Sequence, residues 1–397
     1  MDYEKEGFLL KYWRGFLTAA IFAAITLGLQ WIAGQFPQLV DIFYPYVTRE
    51  VQNILAAWTG GVEITVWQVL AMLILVALLV SIVLMIVLKW NFFQWMGWVL
   101  SGASLVWLLH TGIYGLNYYA SPLQEDIRMD SYDFTVSDLE DATFYFLTKA
   151  NDLALQLPRD ENGDLAVGTF EELAQQAGNG FRTLVYDTGA VFGGSVLPVK
   201  RLAWADMYTA MGITGIHMAI TGEAAVNPQT PTASLPFTMC HEMAHRMSIA
   251  TEDDANFAAF LACRANESQA FQYSAYYMAY RYCYNALASD GSAEASAAAA
   301  RINLQMNAYL RYDIKSYNDF FNQNRSEVLS TVSDAVNDTY IKVSGDENGT
   351  TSYSQVSILL VNWYIDEMVM PYVDQDEEAG FDPMDKDYIG GILEGIG

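Results

Sequence analysis

Residues 71–88 read AMLILVALLVSIVLMIVL, the centre of a run from Ile64 to Leu88 that holds no charge, proline or glycine. At about 1.5 Å of rise per residue, a helix of this length crosses a hydrocarbon layer roughly 30 Å thick. Two further uncharged stretches flank it: nothing is charged between Arg14 and Asp41, or between Lys89 and Glu125. The reading is three transmembrane helices, at about residues 16–33, 65–88 and 92–113. Trp31, Trp67, Trp90 and Trp95 fall near the proposed ends, where indoles favour the interface. Three such runs within 124 residues argue against buried core helices. The first is longer than a signal-peptide apolar region and lacks a small-x-small cleavage site.

Charge divides the chain at the same place. Residues 1–124 hold five basic and six acidic side chains, leaving 15 basic and 40 acidic ones to residues 125–397. The expected organisation is therefore a membrane domain, 1–124, followed by an acidic domain, 125–397. A net charge of -26 repels phosphate backbones and excludes nucleic acid as a partner. Lys5, Lys11 and Arg14 precede the first span, Arg49 lies between the first two, and Lys89 sits in the turn before the third. The positive-inside rule then places the N-terminus and the Lys89 turn in the cytoplasm, and everything after about Ala120 outside the cytoplasmic membrane. His110, inside the third span, reads as a neutral imidazole bonded to backbone.

The acidic domain reads as predominantly helical. Ser137 and Glu140 have capping-box spacing, and Leu139, Ala142, Phe146, Ala150, Leu153 and Leu157 recur at helical intervals. Further helices are expected at 170–177, 201–211, 236–247, 252–263, 269–288, 293–321, 326–343 and 354–370, with strands only at 182–186 and 213–220. Residues 344–351 read as a turn and the last fifteen as an acidic tail. Cys240, Cys263 and Cys283 lack metal-type spacing and read as buried thiols.

One motif carries chemistry: His241-Glu242-Met243-Ala244-His245. Residues four apart share a helix face, so both imidazoles can converge on one Zn²⁺ while Glu242 reaches the water that the metal activates. Zinc lowers that water's pKa, and Glu242 as general base takes its proton during attack on a polarised carbonyl. Two sources of a third ligand compete. Glu252 serves if the chain turns back after His245, which Thr251 as N-cap and Asp254 as its capping partner permit; Asn256 would then support it from one turn away. Glu267, preceded by Asn266, resembles the Asn-Glu arrangement of thermolysin-like enzymes. Glu223 and Asn227 are possible cleft residues, and Tyr273 a possible phenol for an oxyanion.

Gly222 to Asn227, Leu235-Pro236-Phe237-Thr238, the His241–His245 motif, Glu252 to Phe257, Cys263, Tyr273-Ser274 and the stretch from Tyr353 to Tyr364 resemble an uncharacterised family of bacterial multi-span membrane proteins with an HExxH zinc metallopeptidase motif. Ser248 stands where that family commonly has glycine. The Glu-x-x-Ala-Asn element beginning at Glu252 is similar to the Glu-x-x-Ala-Asp element of membrane zinc peptidases, which implies Glu252 as third ligand and a zincin-like domain. The expected function is a membrane-anchored zinc metallopeptidase acting on peptides or membrane-proximal proteins, with the lipid bilayer as its other partner. The alternative is a non-catalytic zinc-stabilised receptor or assembly module. An intramembrane protease is disfavoured by the charges at Arg246, Glu252, Asp253 and Asp254.

Overall fold

The computed structural model describes residues 13–344 and 355–371, apart from the side chains of 187–190. Lys5, Lys11, the acidic tail and the expected turn beyond Ser344 lie outside the described residues. Three helices are long and apolar enough to cross a membrane: α1 (Arg14–Gln35), α3 (Val66–Val87) and α4 (Phe92–Ile113). Lys89, with φ 54°, reverses the chain after α3, and the Asn91 side chain caps α4 by accepting from the Gln94 N–H. A Cβ on Gly15 would meet the Gly97 carbonyl carbon at 2.5 Å, so α1 and α4 touch backbone to backbone. That contact joins their N-terminal ends, and the two helices therefore run parallel.

Between the first two of these apolar helices stands a helix the sequence pattern did not announce, α2 (Pro37–Gly60), separated from α1 by Phe36 alone. Its buried face carries Tyr44, Thr48, Arg49 and Gln52. The remaining structure is mainly helical and packs around one large core. After a single helical turn at Leu123–Asp126 comes α5 (Val136–Gln156), closed by a capping box of Thr135 and Asp138 rather than the expected Ser137 and Glu140. Leu139, Ala142, Phe146 and Ala150 are buried on it as the periodicity requires.

Next come α6 (Phe170–Gln176) and α7 (Gly178–Thr188). The strand expected at 182–186 is instead part of α7. Thr183, Val185 and Tyr186 favour a strand locally, but helical spacing buries Phe181 and Leu184 together, and Gly180 lies against the Ala262 carbonyl where no side chain fits. β1 (Lys200–Arg201), β2 (Gly215–Met218) and β3 (Glu223–Val226) form a small sheet in the order β1-β3-β2, with β2 and β3 antiparallel. The expected strand at 213–220 thus shortens, and the helix expected from 201 begins at Ala205 as α8 (Ala205–Met211).

The site is built on α9 (Leu235–Arg246) and α10 (Glu252–Arg264), which α11 (Gln269–Ser289) backs. The helix expected over 293–321 divides into α12 (Ala293–Leu304) and α13 (Ala308–Asn324), because Asn307 caps the second by accepting from the Leu310 N–H while its amide bonds the Asn151 carbonyl. Then follow α14 (Glu327–Ser344) and α15 (Gln355–Tyr364). Phe146, Phe260 and Trp363 join α5, α10 and α15 through aromatic contacts 4.9 to 6.0 Å apart. All three cysteines are free and buried.

Candidate metal centre

On α9 the His241 and His245 side chains lie one turn apart, and their Nε2 atoms stand 3.1 Å from each other. The opposite face, Met239, Cys240 and Met243, is fully buried, which fixes the helix's rotation and leaves the imidazoles at the edge of the core. Past Arg246 the helix closes through a left-handed residue, Ser248, with φ 73°. The Ile249 N–H bonds the Ala244 carbonyl at 3.2 Å and the Ser248 N–H bonds the His245 carbonyl at 2.9 Å, the hydrogen-bond pattern of a helix stop. This backbone conformation favours glycine, yet here a serine adopts it.

The turn reverses the chain, and α10 brings Glu252 back: its carboxylate oxygens lie 3.4 Å from His241 Nε2 and 3.8 Å from His245 Nε2. Thr251 stands before α10 with extended backbone, but its hydroxyl bonds the Asp254 carboxylate at 2.9 Å instead of capping the helix N–H groups. Glu267 is exposed between α10 and α11 and stands outside this cluster. Among the described residues, His241, His245 and Glu252 form the one group whose donor atoms all lie within 4.8 Å of one another in a metal-ligand set.

The donor chemistry fits a zinc ion. The Ile249 carbonyl accepts from His245 Nδ1 at 2.8 Å, so that nitrogen carries the hydrogen and Nε2 presents a lone pair. Ligands about 2.0 to 2.1 Å from a tetrahedral ion stand about 3.3 Å apart, close to the spacing observed between the two imidazoles and from His241 to Glu252. Nδ1 of His241 is buried without a hydrogen-bond partner. The three side chains keep 10 to 17% exposure, so one side of the cluster is open.

Electrostatics point the same way. Burial opposes protonation of His241, but the hydrogen bond and charge of Glu252, with Glu242 and Asn256 adding, raise its pKa. Burial raises the Glu252 carboxyl, but His241 and then His245 override it and hold it at about 2. Burial and the neighbouring His241 bring His245 down to about 4. The three groups are arranged around a positive charge that a proton or a metal can supply.

Glu242 is 5% exposed, and burial pushes its pKa up to about 8, with His241 opposing and Glu252 adding. Its carboxyl fills the space where Gly215 of β2 has no side chain. Residues two apart share a strand face, so His217 lies one step along, its ring 6.3 Å from that of His245 and nearly parallel to it. Sequence reasoning missed His217, although it is one of only four histidines and sits in an expected strand. Gln52 of α2 holds it: the amide donates to the Ala219 carbonyl at 3.0 Å, leaving its oxygen 3.2 Å from His217 Nε2. Burial keeps His217 well below the ordinary imidazole pKa. Tyr114, just beyond α4, packs its ring 5.1 Å from His217 and donates to the Ile249 carbonyl at 3.4 Å.

Other expected site residues lie elsewhere. Glu223 accepts from the Val66 and Trp67 N–H groups at 2.8 Å each and pairs with Lys200 at 2.7 Å, capping the apolar helix α3. Asn227 bonds Thr209 and the Ile213 carbonyl. The Tyr273 hydroxyl donates to Asp313, which also pairs with Arg159, and so is committed away from the cluster. His110 meets the Tyr340 hydroxyl at 2.9 Å rather than backbone. Neither a curated protein nor a solved structure matches the chain. A family model described as "Protein of unknown function (DUF3810)" matches residues 41–361, and the chain belongs to that family.

Proposed function

We propose that this protein is a membrane-anchored zinc metallopeptidase with a zincin-like domain outside the cytoplasmic membrane, acting on peptides or membrane-proximal proteins. The observation that carries the reading is the convergence of His241, His245 and Glu252 beside a buried Glu242. Zn²⁺ held by the first three would polarise a carbonyl and make a neighbouring water acidic. Glu242 takes a proton from the water as its oxygen attacks the carbonyl carbon, and returns it to the departing amine nitrogen as the C–N bond breaks. The Ile249 carbonyl holds the His245 ring in the tautomer that ligation needs, and Asn256 stands beside His241 from the next helix. The placement outside rests on the distribution of Lys and Arg around the three spans.

The test uses the full chain purified in detergent and assayed on a mixed-sequence fluorogenic peptide pool. Wild type should carry about one zinc per chain, and the double variant His241→Ala, His245→Ala little. Glu242→Gln should keep the zinc and lose about a hundredfold or more in turnover. Full activity in Glu242→Gln would overturn the mechanism, and zinc without peptide cleavage in wild type would favour a structural zinc module.

A further inference from the structure

Helix α2 is inside out. Its buried face holds Thr48, Arg49 and Gln52 together with Val40, Tyr44 and Ala56, whereas Leu39, Ile42, Phe43, Val47, Ile54 and Trp58 are each at least half exposed, Ile42 at 70% and Trp58 at 79%. A helix facing water would place these residues the other way round. The polar face grips the site. Arg49 Nε donates to the Met247 carbonyl at 3.1 Å, Thr48 donates to the Ser248 hydroxyl at 3.0 Å, and Gln52 holds both Ala219 and His217. Gly222, in the turn after β2 with φ 66°, lies so close to α2 that a Cβ would meet the Ala56 nitrogen at 2.7 Å. Every one of these contacts falls on the turn after His245, on β2 or on the turn that follows it.

Both ends of α2 are tied to membrane-crossing helices. Phe36 alone separates it from α1, and residues 61–65 lead from it to α3. Lys200 fixes the second connection by donating to the Thr59 and Ile64 carbonyls at 2.8 and 3.1 Å. One crossing ends where α2 begins and the next starts where α2 ends, so the helix runs along one face of the bilayer.

We infer that α2 lies in the plane of the bilayer surface with its apolar arc in lipid, and that its polar face holds the metal centre against that surface, so that the substrate is a polypeptide held at the membrane. Glu50, exposed on the same arc between Val47 and Ile54, sets the depth: its carboxylate stays among headgroups, which places the helix at the acyl boundary rather than within the hydrocarbon. A helix with side chains is about 10 to 12 Å across. A chain rising from the lipid therefore reaches the cluster within about three or four extended residues. The substrate class rests on the metallopeptidase reading; the placement of α2 does not.

The experiment places a nitroxide at Leu39, Ile42, Val47 and Trp58, one at a time through cysteine, in the full chain in phosphatidylcholine–phosphatidylglycerol vesicles. Collisions with oxygen and with a soluble nickel chelate are compared at each site. Leu75 of α3 serves as lipid control and exposed Thr331 as water control, and parent protein without added cysteine shows whether the buried native thiols label. All four positions should be rich in oxygen, poor in nickel and similar in depth. Nickel accessibility like that of Thr331 would overturn the inference, as would shielding from both reagents, which means a protein partner. A depth maximum at Val47 with shallow Leu39 and Trp58 would mean a crossing helix and overturn it as well. The second arm compares one peptide pool free in solution and coupled to a palmitoyl chain. At least tenfold faster cleavage of the anchored pool is expected; equal rates refute the substrate class, and no cleavage of either pool refutes the hydrolase while the nitroxide result stands.

Discussion

Replacing Gly215 with alanine adds one methyl group where the Glu242 side chain already lies. An ideal Cβ there would sit 2.6 Å from Glu242 Cγ and 2.7 Å from its carboxyl carbon. Ordinary carbon contacts are about 3.5 to 4.0 Å, so the carboxyl must withdraw by roughly 1 Å. Gly215 does not occupy the left-handed region, and alanine fits the backbone without strain. The cost is therefore overpacking, about 1 to 3 kcal/mol of stability, and, on the proposed mechanism, a displaced base. A misplacement of about 1 Å in a reacting group costs on the order of a hundredfold in rate. Peptide turnover should thus fall about a hundredfold in Gly215→Ala while bound zinc, measured by atomic absorption on the same preparation, stays at the wild-type ratio. Because the clash needs both side chains, Gly215→Ala should destabilise a Glu242→Ala background far less than wild type. Wild-type turnover in Gly215→Ala would show that Glu242 does not act from the position it occupies against β2.

The third ligand is separable by metal retention: zinc should fall sharply in Glu252→Ala and remain nearly intact in Glu267→Ala under the same dialysis, and the reverse would favour a thermolysin-like arrangement. Asp313→Ala leaves Arg159 buried without its carboxylate, and removing one partner of such a pair costs about 3 to 5 kcal/mol; a thermal melt of the detergent-solubilised chain should show a clear fall in midpoint, and an unchanged one would mean that the pair is dispensable. A reporter active only outside the cytoplasm should work when fused after Gly397 and fail after Lys89, the opposite pattern reversing the assigned orientation.

The three long apolar helices were legible because a charge-free run of that length has few alternatives. The imidazole pair was legible because helix pitch alone brings residues four apart together. Glu252 needed only one further local device, the reversal at Ser248. His217 needed much more: β2 must pair with β3, the sheet must pack on α9, and the strand must present the face carrying Gly215 and His217. No local pattern encodes that sequence of contacts. Helix α2 escaped for a different reason. Pro45 argues against a helix interior, and its polar residues turn inward where a soluble helix would expose them. At Arg182–Tyr186 the residue preferences were for a strand, and packing against α10 overrode them.

The distribution of buried charge offers a separate reason to expect a cation at the cluster. The acidic chain has few basic side chains, and buried and half-buried ones among the described residues are engaged elsewhere: Arg159 with Asp313, Lys200 with Glu223, Arg49 with the Met247 carbonyl, and Arg246 with the Ser195 and Leu197 carbonyls. Among the described residues no Lys or Arg forms an ion pair with Glu242 or Glu252. Two carboxylates thus stand at the edge of the core, and among the described residues the basic groups that pair with Glu252 are imidazoles. Buried charges are normally paired or coordinate metals, and one imidazole, His245, has its Nε2 lone pair turned toward Glu252 by the Ile249 carbonyl. A single proton on His241 offsets one of the two carboxylates. A divalent cation would offset both, leave each imidazole neutral, and keep Glu242 ionised, as the proposed hydrolysis needs.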